Sequence, residues 1–83
     1  MASTAKVRER IAEIVGRPCN VRFEEIKWVL DQLGAQERPC RHGRLFRLDG
    51  HRLIINEHNN GKPTVPKYSV DGFRNLMIEL GHY

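Results

Sequence analysis

The chain carries only two cysteines in 83 residues. Cys19 and Cys40 are too few for a disulfide framework and lack the CxxC spacing of a zinc ribbon. They read as two reduced thiols, the state a cytoplasmic protein maintains. No apolar run approaches the roughly 20 residues that cross a bilayer. The stretch from Met1 to Arg17 has no basic flank leading into an apolar block, as a signal peptide would. The expected location is therefore cytoplasmic, with no membrane partner. Eighty-three residues leave room for one core and one surface site, which excludes a dehydrogenase cleft, a barrel or a kinase. With 40% hydrophobic and 29% charged residues, the chain is too apolar to be disordered.

The formal net charge is +4, and its distribution says more than its size. Arg38, Arg41, Arg44, Arg47, Arg52, Lys62 and Lys67 fall in one span that holds only two acids, Asp49 and Glu57. Arginine dominates, and its forked guanidinium matches phosphate oxygens. His42, His51 and His58 lie in the same span. A basic face for a polyanion, nucleic acid above all, is one reading. A solvated charged surface of the kind small domains carry anyway is the other.

Val7, Ile11, Ile14 and Val15 recur at helical spacing, so residues 4–15 read as an amphipathic helix ended by Gly16 and Pro18. Phe23 to Leu33 reads as a second helix with Ile26, Val29, Leu30 and Leu33 on its apolar stripe and Asn20 as a possible cap. Ala35 to Arg38 is a strand candidate. Arg44 to Leu48, the turn Asp49-Gly50 and His51 to Asn56 then read as a two-residue hairpin. That turn sets Arg47 opposite Arg52 and puts Phe46, Leu48, Leu53 and Ile55 on one face, with Leu45, Arg47, Arg52 and Ile54 on the other. Two facing arginines repel, and an anion between them would relieve the repulsion. Ser69 reads as the cap of a last helix whose stripe is Val70, Phe73, Leu76, Met77 and Leu80. The expected class is α+β, with helices before and after a short antiparallel sheet.

From Phe23 to Gly81 this order resembles the HicA-type toxins, small bacterial mRNA interferases with a double-stranded-RNA-binding-domain-like fold. The resemblance rests on Leu30-x-x-Leu33-Gly34, the segment Arg41-His42-Gly43-Arg44-Leu45-Phe46-Arg47, then His58, Gly61-Lys62, Val65-Pro66 and the final helix. It implies an α-β-β-β-α core over residues 20–83, with a three-stranded antiparallel sheet packed on helices. Residues 1–19 form an extra N-terminal helical extension. Aligning the aromatic at Phe46 places Gly43 where the family has its key histidine, with His42 one position earlier. A one-residue slip turns a strand side chain to the other face, and a bulge at Gly43 would restore its aim.

The resemblance implies a metal-independent mRNA endoribonuclease of a type II toxin-antitoxin system, with RNA as substrate and a HicB-like antitoxin covering the basic site. Such cleavage needs an acid/base near neutral pH and positive charge on the phosphorane. His42 is the candidate acid/base. Arg41, Arg44, Arg47, Arg52 and Lys62 are the candidate RNA contacts, and His58 is a secondary candidate matching the family's histidine after the third strand. No metal or other cofactor is implied, since Glu57-His58 is the only acid/His adjacency in the basic span and no third ligand is suitably spaced. The alternative is a non-catalytic double-stranded-RNA-like binding or partner-binding module. Tyr68 and Phe46 read as core or rim rather than base-stacking residues, and Trp28 as partly buried.

Overall fold

Val7, Ile11 and Ile14 sit three and four residues apart, and in the computed structural model they form the buried stripe of helix α1 (Thr4–Gly16). The structure describes residues 4–41, 43–57 and 61–83. Helix α2 (Phe23–Gln32) buries Ile26, Val29 and Leu30. Strands β1 (Gln36–Cys40), β2 (Gly43–Leu48) and β3 (His51–Ile55) follow, and helix α3 (Lys67–Glu79) closes the chain. The strands form one antiparallel sheet in the order β1-β2-β3. This is the expected α+β fold: an α-β-β-β-α layout preceded by an extra helix.

The apolar residues of all three helices meet the inner sheet face, Phe46, Leu48, Leu53 and Ile55, in a single cluster. Helix α1 belongs to that cluster and packs against both α2 and α3. The radius of gyration is 11.8 Å, which matches the roughly 12 Å expected of a compact chain of this length. Phe46 is fully buried, a burial that contributes about 3 kcal/mol at most. Helix α3 lies close on the sheet at Gly72, where an added Cβ would come within 3.3 Å of the Leu53 side chain. Among the described residues no helix is long and apolar enough to cross a membrane.

Three local expectations are corrected. Ser69 does not cap α3. Pro66, with extended backbone, holds the N-cap position, and Ser69 is buried inside the first turn, where its Oγ accepts a hydrogen bond from the Asn56 N–H at 3.4 Å. Asn20 does not cap α2; Arg22 does so by position, and its N–H donates to Glu25 Oε2 at 2.9 Å. The first strand runs past Arg38 through Pro39 to Cys40. Proline is tolerated there because β1 is an edge strand with one side unpaired.

Glu25 also accepts hydrogen bonds from both terminal nitrogens of Arg17, which joins the α1–α2 connection to the start of α2. The Arg17 hydrogen bond, reinforced by the Arg22 N–H and opposed by partial burial, holds the Glu25 carboxyl below the ordinary carboxylate range. A carboxylate with a depressed folded-state pKa contributes stability that is fully present above its unfolded value, roughly 4.3, and is lost as pH falls through the folded value. Glu25→Ala is expected to cost about 1–2 kcal/mol at pH 7. The gap from the parent protein should shrink in urea melts at pH 3. A gap of equal size at both pH values would contradict this assignment.

Candidate nucleic-acid interface

Continuous pairing sets the geometry of the open sheet face. Gln36 stands opposite Arg47 and Arg47 opposite Arg52; in the next outward row Arg38 faces Leu45 and Leu45 faces Ile54. Strand alternation turns these six side chains away from the helices, because Phe46, Leu48, Leu53 and Ile55 between them are buried. Ile54 is 55% exposed, so among the described residues nothing covers this side at Ile54. Asp49 (φ 50°) and Gly50 (φ 81°) form the hairpin turn with both central residues at positive φ, which locks the register. Counting from that turn, Arg47 and Arg52 form a pair without mutual backbone hydrogen bonds, the kind whose side chains lie closest.

Arg38, Arg47 and Arg52 are exposed and make no ion pair among the described residues. Three guanidiniums on one uncovered face, with no neighbouring acid in either cross-strand row, can grip phosphate oxygens in pairs.

Arg44 is placed differently. It shares the inner-face parity of Phe46 and Leu48, at the sheet's end, and its Nε donates to Glu57 Oε1 at 2.7 Å with Glu37 Oε1 at 3.7 Å. The Glu57 hydrogen bond raises its pKa, with smaller help from the charge of Glu37. Lys27 of α2 joins the same network at 3.0 Å from Glu37. Arg44 thus holds β2, β1 and the segment after β3 together on the helix side.

Arg41 is exposed in the connection between β1 and β2. Lys62 is exposed two residues before Thr64, whose backbone bridges Arg22 at the start of α2; the sheet register does not place it on the open face. His42 and His58 lie outside the described residues. Gly43 follows His42 without a bulge: the β1–β2 register runs unbroken to Cys40 opposite Gly43. His51 is half-buried, with Nδ1 3.8 Å from Glu79 Oε2. Phe46 is core, whereas Tyr68 is 65% exposed with its hydroxyl oxygen accepting from the Asn56 side chain. Trp28 is half-buried beneath the Arg10 guanidinium, 5.5 Å from its ring centroid.

Comparison with protein families, curated proteins and solved structures finds no match to this chain.

Two members of the open face were not among the expected contacts. Arg38 and Gln36 reach it because β1 pairs in register along the whole of β2. The signal that could have found them is the short connection at Arg41-His42, which fixes β1 against β2 once Cys40 and Gly43 are taken as the closing pair. No group of three or more His, Cys, Asp or Glu that could hold a metal ion occurs among the described residues.

Proposed function

We propose that this chain binds RNA through the open face of its sheet and cleaves mRNA without a metal, as a HicA-like toxin with His42 as acid/base and a HicB-like antitoxin as its protein partner. The setting for such activity is the cytoplasm, where mRNA is found. The observation that carries the reading is the trio Arg38, Arg47 and Arg52, exposed together on a face where none of them is ion-paired among the described residues. Like-charged residues placed directly opposite cost stability unless an anion joins them.

Arg44 favours a second reading, a non-catalytic RNA-binding module. Its guanidinium is engaged by Glu57 and Glu37, which reduces the charge it could lend to a phosphorane beside His42 and leaves Arg41 as the neighbouring cation. Incubating the protein with an unstructured mRNA in EDTA separates the two. Cleavage by the parent protein, lost in His42→Ala and retained in His51→Ala, is the expected result. Binding with no cleavage by any of the three at micromolar protein would establish the second reading, and neither binding nor cleavage would overturn both.

A further inference from the structure

At the hairpin end of the sheet, the α2–β1 connection and the β2–β3 turn stand on either side of a cavity of about 410 Å³. This falls within the roughly 300–1,000 Å³ typical of small-ligand sites. Leu33 and Gly34 line one side, the turn Asp49–Gly50 lines the other, and Gln36 and Arg47 come from the paired strands between them. No hydrogen bond or ion pair occupies the Gln36, Arg47 or Asp49 side chains among the described residues.

The chemistry of these three side chains selects among ligands. Gln36 both donates and accepts, Arg47 only donates, and Asp49 as a carboxylate only accepts. A phosphate seated in the cavity would meet the Asp49 charge. A flat heterocycle with donor and acceptor edges can use all three. Arg47 belongs to the cavity and also faces Arg52 on the open sheet. A phosphate held by that arginine pair therefore has its own base within reach of the cavity. Unstacked bases are read in this way, by edge hydrogen bonds and arginine planes, whereas the bases of a duplex are not available.

We propose that this cavity is a subsite for one unpaired nucleotide, with its base against Gln36 and Asp49 and its phosphate on Arg47 and Arg52. The inference rests on the RNA-binding reading above and adds that the bound strand is single at this point.

The test uses the intact chain and NMR, with each of the four nucleoside 5′-monophosphates and inorganic phosphate as separate probes. At least one nucleotide should shift the backbone amides of Gly34, Gln36 and Gly50, whereas phosphate should shift only Arg47 and Arg52. Gln36→Ala, which alters an exposed edge-strand side chain, should weaken that nucleotide about tenfold. A single-stranded oligoribonucleotide with one abasic position, bound at varied register, should likewise bind the parent protein about tenfold more weakly than the intact strand, and this difference should vanish in Gln36→Ala. Nucleotide shifts identical to those of phosphate, or an unchanged abasic penalty in Gln36→Ala, would overturn the subsite. If RNA still bound in either case, the RNA reading would survive alone. Nucleotide-specific shifts with no binding of any oligoribonucleotide would uphold the cavity as a nucleotide site and overturn the RNA reading.

Discussion

Gly43→Ala is expected to lower stability by about 3 kcal/mol, the combined effect of positive-φ strain and forced displacement of packed backbone. Gly43 has a φ of +143°, and a Cβ built there would lie 2.2 Å from the Ile55 carbonyl oxygen and 2.9 Å from the Asn56 Cα. These atoms belong to the backbone at the end of β3 and the residue just beyond it, which cannot rotate aside as a side-chain tip can. β2 would have to part from β3 where Arg44 is paired with Ile55. Gly50→Ala is the control, because Gly50 also has positive φ (81°) but nothing lies within 4 Å of its added Cβ. That change should cost only about 1–2 kcal/mol, the conformational term alone. For a domain of this size the difference corresponds to a gap of roughly 4–16 °C between the two melting temperatures. Equal melting temperatures would show that close approach does not constrain Gly43. The same crowding bears on the neighbouring His42: a side chain at position 43 cannot be accommodated here as the strands stand, so the residue next to the candidate acid/base is restricted to glycine by backbone packing.

How much was legible in the sequence varies with how local its cause is. Asp49-Gly50 announces a hairpin because both residues readily take positive φ, and a two-residue turn fixes every pairing beyond it. The facing of Arg47 by Arg52 followed from that one dipeptide. The three helices were readable from their apolar spacing, although the stripe of α1 did not say that its partners would be α2 and α3. Ser69 misled because serine before an apolar stripe is a common cap, whereas its place beside Val70 and four residues before Phe73 puts it on the buried side of a helix already begun at Lys67. Arg44 was counted with the basic span because Glu37, inside β1, lies outside that span and Glu57, after β3, is 13 residues away in sequence. Local charge counting sees a run of arginines; the strand period decides that Arg47 faces out and Arg44 does not. Arg38 needed the register of β1, which a weak strand signal interrupted by Pro39 did not supply. The side chain expected to do chemistry, His42, remains defined by sequence, and the face expected to bind by coordinates.

Removing both facing arginines should separate stability from binding. In Arg47→Ala/Arg52→Ala the direct repulsion across β2 and β3 disappears, so the double variant should be more stable than the parent by a few tenths to about 1 kcal/mol, a rise of roughly 2–8 °C in melting temperature. Ordinary substitutions at exposed strand positions fall within about 0.5 kcal/mol of neutral, and alanine is a poorer strand former than most, so an increase identifies the repulsion itself. Affinity for single-stranded RNA should move the other way. Each neutralised phosphate contributes about 0.7 to the slope of log affinity against log salt for a single strand, so losing the one phosphate held by the pair should flatten that slope by roughly 0.7. Arg44→Ala provides the contrast: its guanidinium is bound by Glu57 and Glu37 on the inner face, so it should lower the melting temperature and leave the salt slope unchanged. A double variant that loses stability with no change in slope would mean that the paired arginines serve the sheet rather than a polyanion. A double variant that gains stability and loses slope would show a face kept at a cost to the fold, which repulsion without a binding partner does not explain.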